Sequence, residues 1–558
     1  MSTDEREPGQ PGDEAEVDFA KTGAGAPVDQ ELDVVAHHQP DQVAREHAAA
    51  DAVSRETGYS EEALETLRMV TAADDEITDE QRAVRDKTAR GMMLMGIRTV
   101  VVRGFGLFGT IFLARLLDPA DYGVVALGLT IIVLGRFLAD GGLGPGLIRR
   151  EQVPERYEYA ALLAFSQAAT WPVFLIGSAL AFGVFDLGGD DGALTVSLML
   201  LAMVIDVLRV ANSVACERDL NYTPIVRAEI FEFSIYNILA LGLVAGGMGV
   251  VGVGVANVVR AIVGASLVTM LGPLGWVTPK WNTAVVKSLA KFGAYFQASW
   301  LATIFRDQGL AMILFSISGA AALGAFDQAR RLLVIVTMVF ESAWRVGLPG
   351  IARMMEAGAS SKMLMERGLG LAGVAMAFPV VGLVATSQWL VPLLLGPGWD
   401  ETAHLLPWVG AAIMLTIPLA TIVTTLLWAQ DEPKKVFLMG IPSLVVVLGV
   451  GAIAMTEYDA VGAGIGLTAG GVVYVASCVW FAKEEFGPKA LLKFIGPLLA
   501  AIGATAVGYL VTYELDPGDA VGVIVSGAVG VIALVLLLLV LARASTMELW
   551  RFFGKARG

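Results

Sequence analysis

The chain has 558 residues, of which 55% are hydrophobic and 17% charged; a soluble domain carries about a quarter charged residues. That balance excludes a water-soluble globular protein, and uninterrupted apolar runs of ~20 residues exclude a transmembrane barrel, which needs short alternating segments. The net charge of −15 does not exclude an anionic partner, because residues 1–80 carry 22 Asp/Glu against 5 Lys/Arg, whereas residues 81–558 carry 32 against 34.

Residues 1–90 read as an acidic cytoplasmic tail. Residues 1–55 are rich in Gly, Pro, Asp, Glu and Ala, a composition that cannot repay the entropy of ordering. Ser60–Val70 has a short helical pattern, and Thr78-Asp-Glu-Gln81 looks like a capping box for a helix leading to the first span. His37, His38 and His47 lie in this tail and make a poor metal site. No signal peptide opens the sequence, so the polar tail is expected to stay in the cytoplasm.

About fourteen apolar spans follow, at roughly 98–117, 122–139, 159–185, 193–215, 225–246, 250–274, 292–317, 321–348, 368–395, 402–429, 436–455, 460–482, 490–511 and 519–542. The expected fold is an all-α polytopic membrane protein. Alternate connections are free of Lys and Arg: Asp118–Asp121, Asp186–Gly192, Gly246–Gly249, Ser318–Ala320, Gly396–Glu401, Thr456–Ala460 and Tyr513–Ala520. The others hold the basic residues, from Arg82, Arg85 and Arg90 through Arg149, Arg150, Lys280, Lys434 and Lys435 to Lys483, Lys489 and Lys493. Positive charge is retained on the cytoplasmic side during insertion. Both termini are therefore expected in the cytoplasm, which requires an even span count and leaves twelve open beside fourteen. Cys216 and Cys478, far apart in apolar surroundings, read as buried free thiols.

Pro145, Gly146 and Arg149 after the second span match Pro349, Gly350 and Arg353 after the eighth. Each follows a hairpin with a very short external turn, near Gly123 and Gly324. Six intervening spans preserve orientation, so two pseudo-symmetric six-helix lobes are expected, related by an axis along the membrane normal and able to rock for alternating access. The lobes would be 91–274 and 292–482, joined by a cytoplasmic linker at 275–291. Residues 483–558 would add a helix pair and a cytoplasmic C-terminus.

Ionisable residues deep in a span cost several kcal/mol unless they face protein or water. The spans hold Arg103 and Arg115; Arg136 and Asp140 at i, i+4; Asp206 and Arg209; Glu229 and Glu232; Arg260; Arg306 and Asp307; Asp327, Arg330 and Arg331; and Glu341 and Arg345. The functional reading is a water-filled, net-cationic cavity, and a diphosphate suits arginine forks. The bland reading is that Arg115, Arg209, Arg227 and Arg345 snorkel to the interface, while Arg136 and Asp140 cancel each other. Prolines 172, 379, 407 and 418 fall inside spans, where they loosen backbone hydrogen bonds. The sequence holds no Walker loop, His/Cys cluster or nucleophile elbow, and His404 stands alone. No cofactor is expected.

Residues 103–127, Arg103-Gly-Phe-Gly-Leu-Phe-Gly through Asp118-Pro-Ala-Asp-Tyr-Gly-Val-Val-Ala-Leu127, and residues 137–148 resemble the opening of bacterial polysaccharide flippases. These belong to the multidrug/oligosaccharidyl-lipid/polysaccharide (MOP) exporter superfamily. Phe305-Arg-Asp-Gln-Gly309 and Leu323–Leu332 carry the likeness into the second half, so that it spans about 90–485. The resemblance implies a flippase moving an undecaprenyl-diphosphate-linked oligosaccharide across the cytoplasmic membrane, through a cationic cavity between two lobes. It also implies glycan polymerase or glycosyltransferase partners and no nucleic acid.

Arg103, Arg136, Asp140 and Asp307 are the cavity residues by motif; Arg260 and Arg306 join them by charge, and Asp307, Glu341 and Asp206 are the candidates for ion coupling. Asp140 resembles the acidic position after the second span's arginine in the related lipid II flippases. Phe326 departs from a Gly-x-Tyr-x-x-Ala pattern, which removes a hydroxyl there. Two alternatives stand beside this reading. A drug/cation antiporter of the same superfamily calls for an acidic cavity. A membrane-embedded glycan polymerase or ligase calls for a large external loop, and every external connection here is eight residues or shorter.

Overall fold

The computed structural model describes residues 94–555 apart from 97, 100, 101, 103, 186, 357–359, 431 and 516–518, all within the unit Lys87–Gly558. The tail features and Arg103 lie outside the described residues. Those described are helical, with no strand among them. In chain order the helices are α1 Gly104–Ala114, α2 Pro119–Asp140, α3 Leu143–Ile148, α4 Arg156–Gly183, α5 Asp190–Asp206, α6 Val210–Arg218, α7 Thr223–Leu243 and α8 Gly249–Leu271. Then come α9 Thr283–Glu356, α10 Ser361–Ala385, α11 Ser387–Leu395, α12 Asp400–Ala429, α13 Pro433–Phe481, α14 Pro488–Leu515, α15 Asp519–Leu541 and α16 Arg543–Lys555.

Local chemistry fixes the ends of these helices. Asp118 caps α2, its carboxylate accepting from the Asp121 amide at 2.8 Å, and Pro119 supplies the helical φ of the first turn. Gly141 and Gly142, with φ of 53° and 68°, stop α2 in the left-handed region that favours glycine. A capping box of Glu155 and Glu158 starts α4. Arg218 donates to the carbonyls of Leu147, Ile148 and Arg150 at 2.7–3.1 Å, tying off the free end of α3.

Ten helical runs among the described residues are long and apolar enough to cross a membrane. They are fewer than the fourteen spans expected from sequence; three of the runs contain a reversal of direction, and α1 is shorter than a full span. The α7–α8 run turns at Gly247 and Gly249, α9 at Gly319, and α13 at Asp459. Each reversal is visible in a contact that a straight helix forbids. Ser443 donates to the Gly470 carbonyl at 2.9 Å, although 27 residues of straight helix measure roughly 40 Å. Arg330 reaches Asp307 at 3.8 Å, and Arg260 reaches Glu232 at 3.6 Å, over comparable separations.

Small residues let the backbones approach, as expected where lipid is as apolar as leucine and packing must drive association. A Cβ on Gly123 would lie 1.7 Å from the Ala320 carbonyl oxygen, and one on Gly324 would lie 2.0 Å from that of Pro119. One on Gly142 would lie 2.4 Å from the Gly293 backbone. So α2 touches α9 at both of its ends, which are ~28 Å apart along the axis. The outward faces of α13 and α15 leave Ile453, Ile524 and Val540 more than 70% exposed, the surface a hydrocarbon solvent requires. Helices α14 and α15 pair with each other and with α10 through Gly508, Gly530 and Ala385. Cys216 and Cys478 are buried and free.

The Pro-Gly repeat differs between its copies. The first forms the separate helix α3 after the Gly141–Gly142 break, whereas 349–353 continue α9. Residues 341–346 contain no glycine pair to stop the helix.

Candidate functional site

A cavity of about 280 Å³ lies among α1, α2, α7, α8 and the second leg of α9. Its polar lining includes Thr110, Arg136, Asn237, Asn257, Arg260 and Arg331. Behind it sits a network of three arginines and two carboxylates. Asp206, at the end of α5, accepts from Arg260 at 2.7 Å, pairs with Arg136 of α2, and lies 3.7 Å from Arg209. Glu232 of α7 takes Arg209 at 2.8 Å and Arg260 at 3.6 Å. The network carries a formal charge of +1.

Removing these charges from water is costly, and their attraction repays it only while every partner is in place. The backbone makes room for one of them. A Cβ on Gly264 would sit 1.6 Å from a Glu232 carboxylate oxygen, so glycine here is what seats Glu232. The arginines differ in exposure: the side chains of Arg209 and Arg260 are 16% and 13% exposed, but that of Arg136 is 46% exposed. Arg136 is thus the most exposed arm of the network.

Two further ion pairs involve α7 and α9, which contribute to the cavity wall. Arg98 forks onto Glu229 at 2.5 and 2.9 Å. Arg331 bonds Asp327 at 2.5 Å and approaches the Thr110 hydroxyl at 3.5 Å, bringing a residue from the second half of the chain to the first cavity.

A second polar region lies between the two legs of α9 and helices α12 and α13. Arg306 donates to Asp307 at 2.9 Å, and Arg330, 3.8 Å from Asp307, stands 5.7 Å from the centre of the Phe326 ring. Arg330 thus makes a cation–π contact with Phe326. Cavities of about 470 and 1150 Å³ share Arg306, Thr416, Ile417 and Ser443.

Of the residues expected at the site, Arg136 and Arg260 line the first cavity, and Arg306 and Asp307 line the second. Arg136 and Asp140 are not partners. Arg136 reaches across to Asp206, while Asp140 accepts from the Gly142 amide at 3.2 Å in the turn that ends α2. A nearer backbone donor and a fully charged partner on α5 outcompete the i, i+4 geometry. Arg209 does not snorkel; it is held between Asp206 and Glu232. Arg115 instead bonds the Leu394 carbonyl at 2.9 Å, at the end of α11. The Glu341 and Arg345 side chains, like Arg103, fall outside the described residues. Glu232, Arg209 and Arg331 carried the signal of intramembrane charge in the sequence, but only the packing shows that Arg331 lines the cavity and that Arg209 and Glu232 pair in the network behind it. Asn237 and Asn257 gave no such signal. Among the described residues no three His, Cys, Asp or Glu side chains gather as metal ligands.

Residues 112–404 match the family described as Polysaccharide biosynthesis protein. The chain is 23% identical over 337 residues to the Lipopolysaccharide biosynthesis protein WzxC of Escherichia coli (strain K12), a match covering 57% of this chain and 65% of that protein. Just under two thirds of that relative is therefore spanned. Among solved structures, the fold is similar to that of the lipid II flippase MurJ in an inward closed conformation, with a TM-score of 0.61 and 12% identity over 81% of this chain and 99% of that one. It is also similar to an inward-facing multidrug resistance MATE family transporter of the MOP superfamily, with a TM-score of 0.50 and 14% identity over 71% and 98% of the two chains.

Proposed function

We propose, from the premise that this chain belongs to the polysaccharide biosynthesis protein family, that it is a MOP-type flippase carrying an undecaprenyl-diphosphate-linked oligosaccharide across the cytoplasmic membrane. The observation that carries this reading is the small cavity lined by Arg136, Arg260 and Arg331, with Arg136 only half withdrawn into its ion pair. A diphosphate entering the cavity can take the free face of Arg136 with two charge-assisted hydrogen bonds, while Asp206 and Glu232 hold the other guanidiniums in position. The lipid tail stays in the bilayer.

The proposed architecture is fourteen crossings with both termini cytoplasmic. Lobes at 91–274 and 292–482 flank the linker 275–291, and 483–558 supply a final hairpin and tail. The three reversals and the one-sided distribution of Lys and Arg support this count. Alternating access then requires α2 and α9 to part at one end at a time, at the Gly142–Gly293 contact or at the Gly123–Ala320 contact.

Coupling to an ion gradient is better sought at Glu341 than at Asp206 or Asp307. Guanidinium groups lie 2.7 Å from Asp206 and 2.9 Å from Asp307, and they repel a second cation. Those carboxylates read as arginine-positioning groups. The same arginines disfavour a carrier of cationic drugs, and the short external connections leave a polymerase or ligase no obvious place for its chemistry. Delivery to a polymerase or glycosyltransferase at the outer leaflet is the natural next step.

The test is deletion of the protein followed by analysis of lipid-linked glycan. Repeat units trapped in the inner leaflet are expected. Unchanged surface glycan together with unchanged lipid-linked precursor overturns the reading.

A further inference from the structure

Helix α16 is built the wrong way round for a helix in water. It begins one residue after the apolar α15 ends and packs along α10. The face turned to the protein is small and hydroxylated: Ser545 and Thr546 are buried, and a Cβ on Gly370 of α10 would collide with the Ser545 hydroxyl. The opposite face holds Arg543, Met547, Trp550 and Arg551, at i, i+4, i+7 and i+8, all of them exposed. A surface helix in water turns its large apolar side chains to the core. Leu549 does so, but Trp550 is 73% exposed.

The ends of three helices meet beside this face. Lys493 of α14 reaches Glu366 of α10 at 3.9 Å, and Arg367 of α10 reaches Glu548 of α16 at 3.4 Å. A Cβ on Gly496 of α14 would lie 2.7 Å from the Leu541 carbonyl oxygen at the end of α15. Glu366 and Glu548 are thereby occupied. Lys362, Lys489, Arg543 and Arg551 are exposed and form no ion pair among the described residues. Lys362 stands one turn before Glu366, and Lys489 one turn before Lys493, so both share the faces that meet here.

Two needs must be met together. Four unpaired cations call for anions, and an exposed Met547–Trp550 stripe calls for hydrocarbon. A soluble anion answers the first and leaves Trp550 in water. An anionic phospholipid answers both in one molecule, because arginine and lysine reach the phosphates on apolar stems while tryptophan rests at headgroup depth. The stripe also continues the lipid-facing surface of α15, where Val540 is 79% exposed.

We propose that the collar formed by the ends of α10, α14 and α16 is a binding site for anionic phospholipid. Lys362, Lys489, Arg543 and Arg551 take the headgroup phosphates, and Met547 and Trp550 lie against the upper acyl carbons. Clusters of lysine and arginine just beyond the cytoplasmic end of a membrane helix attract anionic lipid in this way. The inference rests on the proposed cytoplasmic placement of the C-terminus only for which leaflet supplies the lipid. Lipid preference is measured without transport, so the site and the carrier reading can fail separately.

The experiment uses the full chain, with Cys216 and Cys478 replaced and a fluorophore on Ala544→Cys, a position exposed beside the stripe. The protein is reconstituted in vesicles of equal parts phosphatidylglycerol and phosphatidylcholine, with brominated acyl chains on one lipid or the other. Bromine on phosphatidylglycerol is expected to quench the label at least about twofold more than bromine on phosphatidylcholine. Arg543→Gln combined with Arg551→Gln should bring the two values together while quenching by phosphatidylcholine persists, which shows that the helix is still seated at the bilayer. Arg543→Lys combined with Arg551→Lys should keep the preference. Inorganic phosphate added at constant ionic strength should leave it unchanged. Equal quenching by the two lipids in the arginine-bearing protein overturns the site, and so does the absence of quenching by either, which would turn this face to water or to a protein. Loss of the preference to inorganic phosphate would make the collar a site for a soluble anion and overturn the lipid.

Discussion

Asp206 is the residue on which most of the first cavity's charge depends. It is 4% exposed and is approached by three arginines. Replacing it with alanine leaves buried guanidiniums with Glu232 alone, and breaking a buried pair in this way costs about 3–5 kcal/mol. Asp206→Ala is therefore expected to unfold in detergent at a clearly lower temperature than the unmodified protein; an unchanged transition would mean that water already solvates the network. Arg136 should behave differently because it is half exposed. Arg136→Ala is expected to retain stability to within about 1 kcal/mol while slowing transport about tenfold or more, the loss of a charged hydrogen bond worth about 1.5–3 kcal/mol. Full transport by this variant would make Arg136 a structural charge. Gly264→Ala tests the same network from the backbone side. Its Cβ would displace Glu232, so it should resemble Asp206→Ala rather than the silent change that alanine usually is in a helix.

At the level of elements, α2 and α9 form the seam at which the proposed alternating access would open. Their contacts near Pro119–Gly123 and at Gly142 are backbone to backbone, and no side-chain rotation relieves a Cβ placed there. Overpacking of this kind costs about 1–3 kcal/mol in the closed arrangement and nothing once the helices part. Gly324→Val is therefore expected to shift the population towards an outward-open state. Labelling of a Thr110→Cys protein by an impermeant maleimide added from outside should then rise, because Thr110 lines the cavity behind that contact. Labelling that stays at its original level would place the outward gate elsewhere.

For the whole molecule, the one-sided basic residues predict an orientation with both termini in the cytoplasm. With Cys216 and Cys478 replaced, a single cysteine at Asp190 should react with an impermeant reagent outside the cell, and one at Lys483 should not. The reverse pattern would invert the topology and with it the direction of both gates.

Length, hydropathy and the sidedness of Lys and Arg were enough to establish an all-helical membrane protein and the positions of its turns. Hydrophobic run length and charge retention act locally along the chain, so they are legible one segment at a time. The reversals at Gly319 and within Thr456–Ala460 fell where the sequence placed them. Intramembrane charges were equally legible as costly features needing partners. Which partners they found was decided only by tertiary structure. Arg136 took Asp206, 70 residues away, over Asp140 on its own helix face. Arg209 took Glu232 over the interface, and Arg331 crossed from the second half of the chain to the first cavity. An ion pair in a low-dielectric interior is chosen by distance and desolvation in three dimensions, and sequence spacing carries neither.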